Sequence, residues 1–262
     1  MTSRKAQLAA AILIISTAGC GGLADNKTAA TPIPSTSLDP QAALIDAVPD
    51  ENDGAYHFEV RGAEVPTSGV LDAPHKAVDV KITQHEKDPD FTLTMTTRMV
   101  GEKTWVKIAI TPADLPGVPT IPKSWQLLDP AKIKDKSIIG YDGSLDPGYA
   151  KLLVQKASGI KQTSPGHFAG TTDLTRSTEA EILDQKTLEA LGAKAEQVPF
   201  VAVVDAGGNL TSLVATIPAA GRAKARTYSV KYDGFGRTAT PVAPAAGEQQ
   251  KAKSVIYEML AG

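Results

Sequence analysis

Cysteine is nearly absent from this chain: Cys20 is the only one in 262 residues. No intramolecular disulfide can form, so a folded domain in an oxidising compartment has to stabilise itself by burial. An excess of one charge is missing too. The formal net charge is −2, and no basic stripe points to nucleic acid. Beyond the N-terminus no apolar run is long enough for a membrane span, which takes about 20 residues of helix. Catalytic signatures are also lacking. His57, His75, His85 and His167 are scattered, in neither H-x-x-x-H nor H-E-x-x-H spacing, which argues against a zinc helix site. There is no G-x-S-x-G elbow for a serine nucleophile. Asp50-Glu51-Asn52-Asp53-Gly54 brings its glycine too early for a calcium loop, and Asp142 and Asp146 sit among turn residues. The chain reads as a non-enzyme with no metal and no cofactor. No repeat of fixed period is present.

What is there begins at the N-terminus. Arg4 and Lys5 are followed by an unbroken apolar run from Leu8 to Ile15 and by small residues from Ser16 to Gly19. A positive start, a short apolar core and a small-residue cleavage site describe a secretory signal. Cys20 follows at once. The small residues admit a peptidase, with cleavage after Gly19, and the thiol can then become a thioether to diacylglycerol. Ser-Thr-Ala-Gly-Cys looks like a lipobox, with Thr17 where leucine is commoner. The position of the lone cysteine favours lipidation over an ordinary signal peptide. Each buried CH₂ of an acyl chain contributes about 0.8 kcal/mol, so several chains anchor durably. The expected organisation is a signal peptide at 1–19, a lipidated cysteine and flexible tether at 20–40, a folded domain at 41–237, and a Pro/Ala linker with a C-terminal helix at 238–262. About 200 residues beyond the tether suffice for one substantial core. The expected location is the extracytoplasmic face of the cell membrane, as a lipid-anchored monomer.

Period-two alternation marks the strands. Tyr56, Phe58 and Val60 alternate with polar residues, and Val78, Val80 and Ile82 share one face. Phe91, Leu93, Met95, Thr97 and Met99 form the face of a longer strand, and Val106, Ile108 and Ile110 one face of the next. Proline-rich 114–124 excludes helix and central strand. Tyr149–Ala157 has helical spacing with Gly159 as its stop, and Asp184–Leu191 is a second helix stopped by Gly192. Hairpins are expected around Ser164-Pro165-Gly166 and Ala206-Gly207-Gly208-Asn209. Arg226–Tyr232 is a strand, and Lys251–Leu260 carries an apolar helical stripe. The fold class is α+β: a large antiparallel sheet of roughly ten strands, which would curl, with a few helices covering its concave face.

Several short motifs occur in a telling order. After the lipobox and tether come Gly-x-x-x-Trp-Val-Lys at Gly101–Lys107, a Pro-rich stretch ending in Trp125, His-Phe-x-Gly-x-x-Asp-Leu at His167–Leu174, and Val-Pro-Phe-x-x-x-Val-Asp-x-x-Gly-x-Leu at Val198–Leu210. This layout resembles the actinobacterial LppX/LprG-like cell-envelope lipoproteins, whose domain is similar to the LolA half-barrel. The resemblance implies a half-barrel enclosing an apolar cavity, and a role in holding or carrying a lipid or other amphiphile. It supplies no catalytic motif and does not account for the C-terminal helix. Candidate lining residues are Phe91, Leu93, Met95, Met99, Val106, Ile108, Trp125 and Leu153. Methionine adapts to irregular apolar guests, but an apolar strand face is more often plain core. The other reading is an envelope interaction or sensor protein with a filled core and a protein partner.

Overall fold

A computed structural model describes residues 39–63, 65–113, 116–117, 120–134, 140–141, 146–175 and 182–261. Gly19, Cys20, nearly all of the tether and Asp142 lie outside the described residues. Among the described residues are four short α-helices: α1 (Pro40–Asp46), α2 (Ala150–Gln155), α3 (Gln185–Leu191) and α4 (Ser254–Met259). With them are twelve strands: β1 (Tyr56–Arg61), β2 (Thr67–Asp72), β3 (Ala77–Lys87), β4 (Asp90–Val100), β5 (Lys103–Thr111), β6 (Trp125–Leu127), β7 (Ala157–Ser164), β8 (His167–Thr172), β9 (Val198–Val204), β10 (Leu210–Ile217), β11 (Arg226–Asp233) and β12 (Gln249–Lys251).

Local chemistry explains the boundaries. Asp39 caps α1 by accepting from the Gln41 N–H at 3.1 Å, with Pro40 in the first turn. Asp184 caps α3 through the Thr187 N–H at 2.7 Å. The β9–β10 turn closes on Asp205, whose Oδ1 accepts from the N–H groups of Gly207 and Asn209 at 2.9 Å each. The Asn209 N–H leads the interactions that hold the Asp205 carboxyl below its ordinary value. At Gly69 a Cβ would lie 1.8 Å from the Asp79 carbonyl oxygen and 2.8 Å from the Phe58 ring. Only glycine admits that approach between β1, β2 and β3.

All twelve strands join one sheet in the order β12-β6-β5-β4-β3-β2-β1-β11-β10-β9-β8-β7. Every pairing is antiparallel except β12 with β6. The sheet is open, ending at β12 and β7. Tyr232, Phe58, Gly69, Val80, Thr97, Val106 and Gln126 are successive cross-strand partners and therefore share one face. That face carries two cores. The larger packs α1, α2 and α3 on β1, β2 and β8–β11, with Leu44, Leu153, Leu188, Phe58 and Val230 buried in it. The smaller holds Val106, Ile108, Leu128, Ile133 and Ile256, and brings α4 onto β4 and β5.

The α+β expectation is met as a large open, antiparallel-rich sheet with a few helices. Two local expectations change. Gly159 does not stop the middle helix. The strand β7 already begins at Ala157, and Gly159 (φ +61°) lies in an irregularity of its pairing with β8. The C-terminal helix is shorter than Lys251–Leu260, because Lys251 ends β12 by pairing with Leu127. The segment before it runs across the sheet. Seven strand spacings separate β11 from β12, about 34 Å at roughly 4.8 Å each. The sixteen residue steps from Asp233 to Gln249 reach about 53 Å when extended, so the Pro/Ala stretch can make the crossing.

Candidate functional site

The expected lining residues separate into groups. Phe91, Leu93, Met95 and Met99 do share the helix-covered face of β4, with Val106 and Ile108 beside them on β5. Leu93 and Met95 pack under the smaller core, where Val106 and Ile108 are buried. Met99 packs against the larger core, as does Leu153 from α2. Phe91 is partly buried, outside both. Trp125 is on the other side of the sheet. Val106 faces Gln126 in register, so alternation turns the neighbouring Trp125 to the opposite face. There the Arg98 guanidinium lies 4.6 Å from its ring centroid.

Two residues absent from the expected lining complete the surface. Val80 and Ile82 of β3 are partly buried, and Ile82 faces Met95 in register. Thr97 stands between Val80 of the larger core and Val106 of the smaller. Ile82 and Phe91, which belong to neither core, thus form a strip at the boundary of the two helical covers, flanked by Val80 of the larger core and by Leu93 and Met95 under the smaller. The alternation of β3 carried the signal for Val80 and Ile82.

Beside this strip the larger core contains a hydroxyl cluster. The Tyr228 hydroxyl donates to the Gly148 carbonyl at 2.6 Å, and the Tyr232 hydroxyl to the Pro147 carbonyl at 3.0 Å. Tyr56 meets Tyr232 edge-on at 5.7 Å and stacks on Phe235 at 5.3 Å. Burial pushes the hydroxyls of Tyr56, Tyr228 and Tyr232 above the ordinary tyrosine value. Burial likewise raises the Asp146 carboxyl, against hydrogen bonds from the Lys151 and Ala150 backbone. Tyr228 and Tyr232 fix the loop at Pro147 and Gly148 on the sheet as neutral donors.

The opposite face is polar, and the C-terminal segment crosses it. The Thr240 hydroxyl donates to Oδ2 of Asp72. Asp72 also meets His75 Nδ1 at 2.8 Å. Burial pushes the Asp72 carboxyl up, but its hydrogen bonds with Thr240 and His75 outweigh this and hold it below the ordinary value. Arg98 donates twice to Asp79, at 2.7 and 2.6 Å, and once to the Val242 carbonyl at 3.0 Å. The Trp105 Nε1–H donates to Gln249 Oε1 at 2.7 Å, and this crossing leaves Trp105 only 2% exposed. Alongside lies a shallow depression of about 460 Å³ lined by His57, Glu59, Ser68, Val70, Asp79 and Lys81. His57 faces Asp233 at 3.4 Å and His85 faces Asp90 at 3.6 Å. Among the described residues no three histidine, cysteine or acidic side chains gather to hold a metal ion. No helix among them is long and apolar enough to cross a membrane.

No protein-family model matches the chain, and no curated protein matches it. Among solved structures it is similar to a porin-like protein from Bacteroides uniformis, at 12% identity and a TM-score of 0.25, over 71% of this chain and 99% of that one. A likeness at that TM-score carries no argument about fold or function.

Proposed function

We propose that this chain is a lipoprotein, cleaved after Gly19, lipidated on Cys20 and held on the extracytoplasmic face of the cell membrane, whose folded domain binds or carries a lipid or other amphiphile against the apolar face of its sheet. The observation that carries the binding reading is the apolar pair Ile82 and Phe91, only partly buried and in neither core, continuous on the same face with Val80, Leu93 and Met95 at the edges of the two cores. An acyl chain laid there would remove apolar surface from water at about 25 cal/mol per Å². The motif layout shared with the LppX/LprG-like lipoproteins, and their half-barrel, support the same reading. The tether would give the domain reach from its anchor.

The test is full-length protein anchored in phosphatidylcholine vesicles that contain a phosphatidylcholine with a photoactivatable diazirine acyl chain. Irradiation is expected to crosslink the probe to peptides of β3 and β4. Crosslinks confined to the N-terminal anchor region would sink the carrier reading and leave an envelope interaction protein with a filled core.

A further inference from the structure

The expected apolar floor is partly occupied by the chain's own C-terminus. Helix α4 lies over Leu93, Met95, Val106 and Ile108, with Ile256 fully buried and Val255, Met259 and Leu260 packed around it. Its attachment rests on a smaller core than that of the other helices. The core it completes is separate from the larger one. The helix has six residues and no side-chain N-cap, far below the length at which a helix holds itself. Strand β12 pairs only with the three-residue β6, through three register pairs. Further bonds to the end run from the Ala252 N–H to the Leu127 carbonyl at 2.9 Å, from the Asp129 N–H to the Tyr257 hydroxyl at 2.8 Å, from Gln250 Nε2 to Gln126 Oε1 at 3.3 Å and from the Trp105 Nε1–H to Gln249 Oε1 at 2.7 Å. The strap leading to it is fastened by side chains, through Asp72, Arg98 and Trp105, and not by a ladder. Few buried apolar groups and a short ladder mark a segment that opens without global unfolding.

We propose that β12 and α4, held by the strap, form a releasable lid whose apolar side chains fill the acyl-chain site, so that an amphiphile loads by displacing α4 from β4 and β5. The inference rests on the proposed function. Release joins Leu93, Met95, Val106 and Ile108 to the already open Ile82 and Phe91, and turns a narrow strip into a floor three strands wide. The strap keeps the lid on the molecule. Its fastenings to Asp72 and Arg98 lie on the other face of the sheet and need not break when α4 lifts.

Gln126 and Gln250 are register partners on adjacent parallel strands, their side chains 3.3 Å apart. Strand spacing of about 4.8 Å lies within disulfide reach. The double substitution Gln126→Cys and Gln250→Cys therefore locks β12 to β6 when oxidised, and its reduced form controls for folding. In the vesicle assay with the diazirine phosphatidylcholine, crosslinking to β4 and β5 is expected to fall at least tenfold on oxidation and to return on reduction. Thr240→Val, which loosens the strap alone, is expected to leave it unchanged, because that fastening stays closed when α4 lifts. Hydrogen exchange on the full chain is expected to show amides of residues 249–260 opening faster than those of β4. Equal crosslinking in oxidised and reduced forms overturns the lid and leaves the carrier reading standing. Absence of crosslinks in every form overturns the carrier reading and the lid's role in loading with it. Protection of 249–260 equal to that of β4 overturns the lid whatever the lipid result.

Discussion

Gly148 has φ +87°, and a Cβ there would come 2.6 Å from Val230 Cγ2 and 2.9 Å from Val60 Cγ2. Its carbonyl also receives the Tyr228 hydroxyl. Gly148→Ala combines left-handed strain with an overpacked contact, and is expected to cost about 2–4 kcal/mol in urea unfolding. Asp72 is a second residue with a sharp expectation. Its carboxyl is held below the ordinary 3.8, so the folded state gains from its ionised form. That gain is complete above the ordinary value and is lost as pH falls below it. Asp72→Asn is expected to cost about 1–3 kcal/mol at pH 6. The gap to wild type should narrow in melts taken progressively below pH 3.8. At Cys20 the expectation is chemical: palmitate labelling in cells marks the wild-type chain and not Cys20→Ala.

Elements differ in how they are held. The β3–β4–β5 meander pairs over most of its length in unbroken register, because alternation fixes which face each side chain must take. Edge strand β7 is irregular, with register shifts after Ser158 and Gln162. Such breaks discourage pairing with another chain. Helix α4 depends on one fully buried side chain. Ile256→Ala is expected to cost about 2–4 kcal/mol locally. The measurable sign is faster amide exchange in residues 249–260, with β1, β10 and β11 unchanged. A uniform rise in exchange across the sheet would mean that the two cores unfold as one.

For the whole molecule, the division of one sheet face into two cores is the main consequence of the strand order. Strand β1 is central, joined to β2 on one side and to β11 on the other. Early and late strands therefore meet in mid-sheet, and the helices α1, α2 and α3 cluster over that half. The far half is left to the last helix in the chain. The strip between the covers should tolerate charge, since Ile82 and Phe91 belong to neither core. Ile82→Asp and Phe91→Asp are expected to change unfolding stability by less than about 1 kcal/mol. Each is expected to reduce crosslinking by the diazirine phosphatidylcholine severalfold in vesicles.

Much of this was legible in residue order. Alternation located β1, β3, β4, β5 and β11 and assigned their faces, because a buried face forces period two, and the Ala206–Asn209 turn located β9 and β10. Asp184, Gly192 and the Asp205–Asn209 turn marked their boundaries through local backbone chemistry. These features depend on neighbours in sequence, and sequence alone determines them. Long-range placement was decided only in three dimensions. Trp125 looked like part of the apolar lining, yet the register of Gln126 opposite Val106 turns it to the polar face under Arg98. The Pro/Ala stretch looked like a linker, yet it is a strap bonded to Asp72 and Arg98. Both outcomes depend on partners far along the chain, 144 residues away for Arg98 and Val242. Local propensity carries no record of which strand will stand beside which, so the sequence identifies apolar faces and the tertiary structure decides which are filled, which are covered and which stay open.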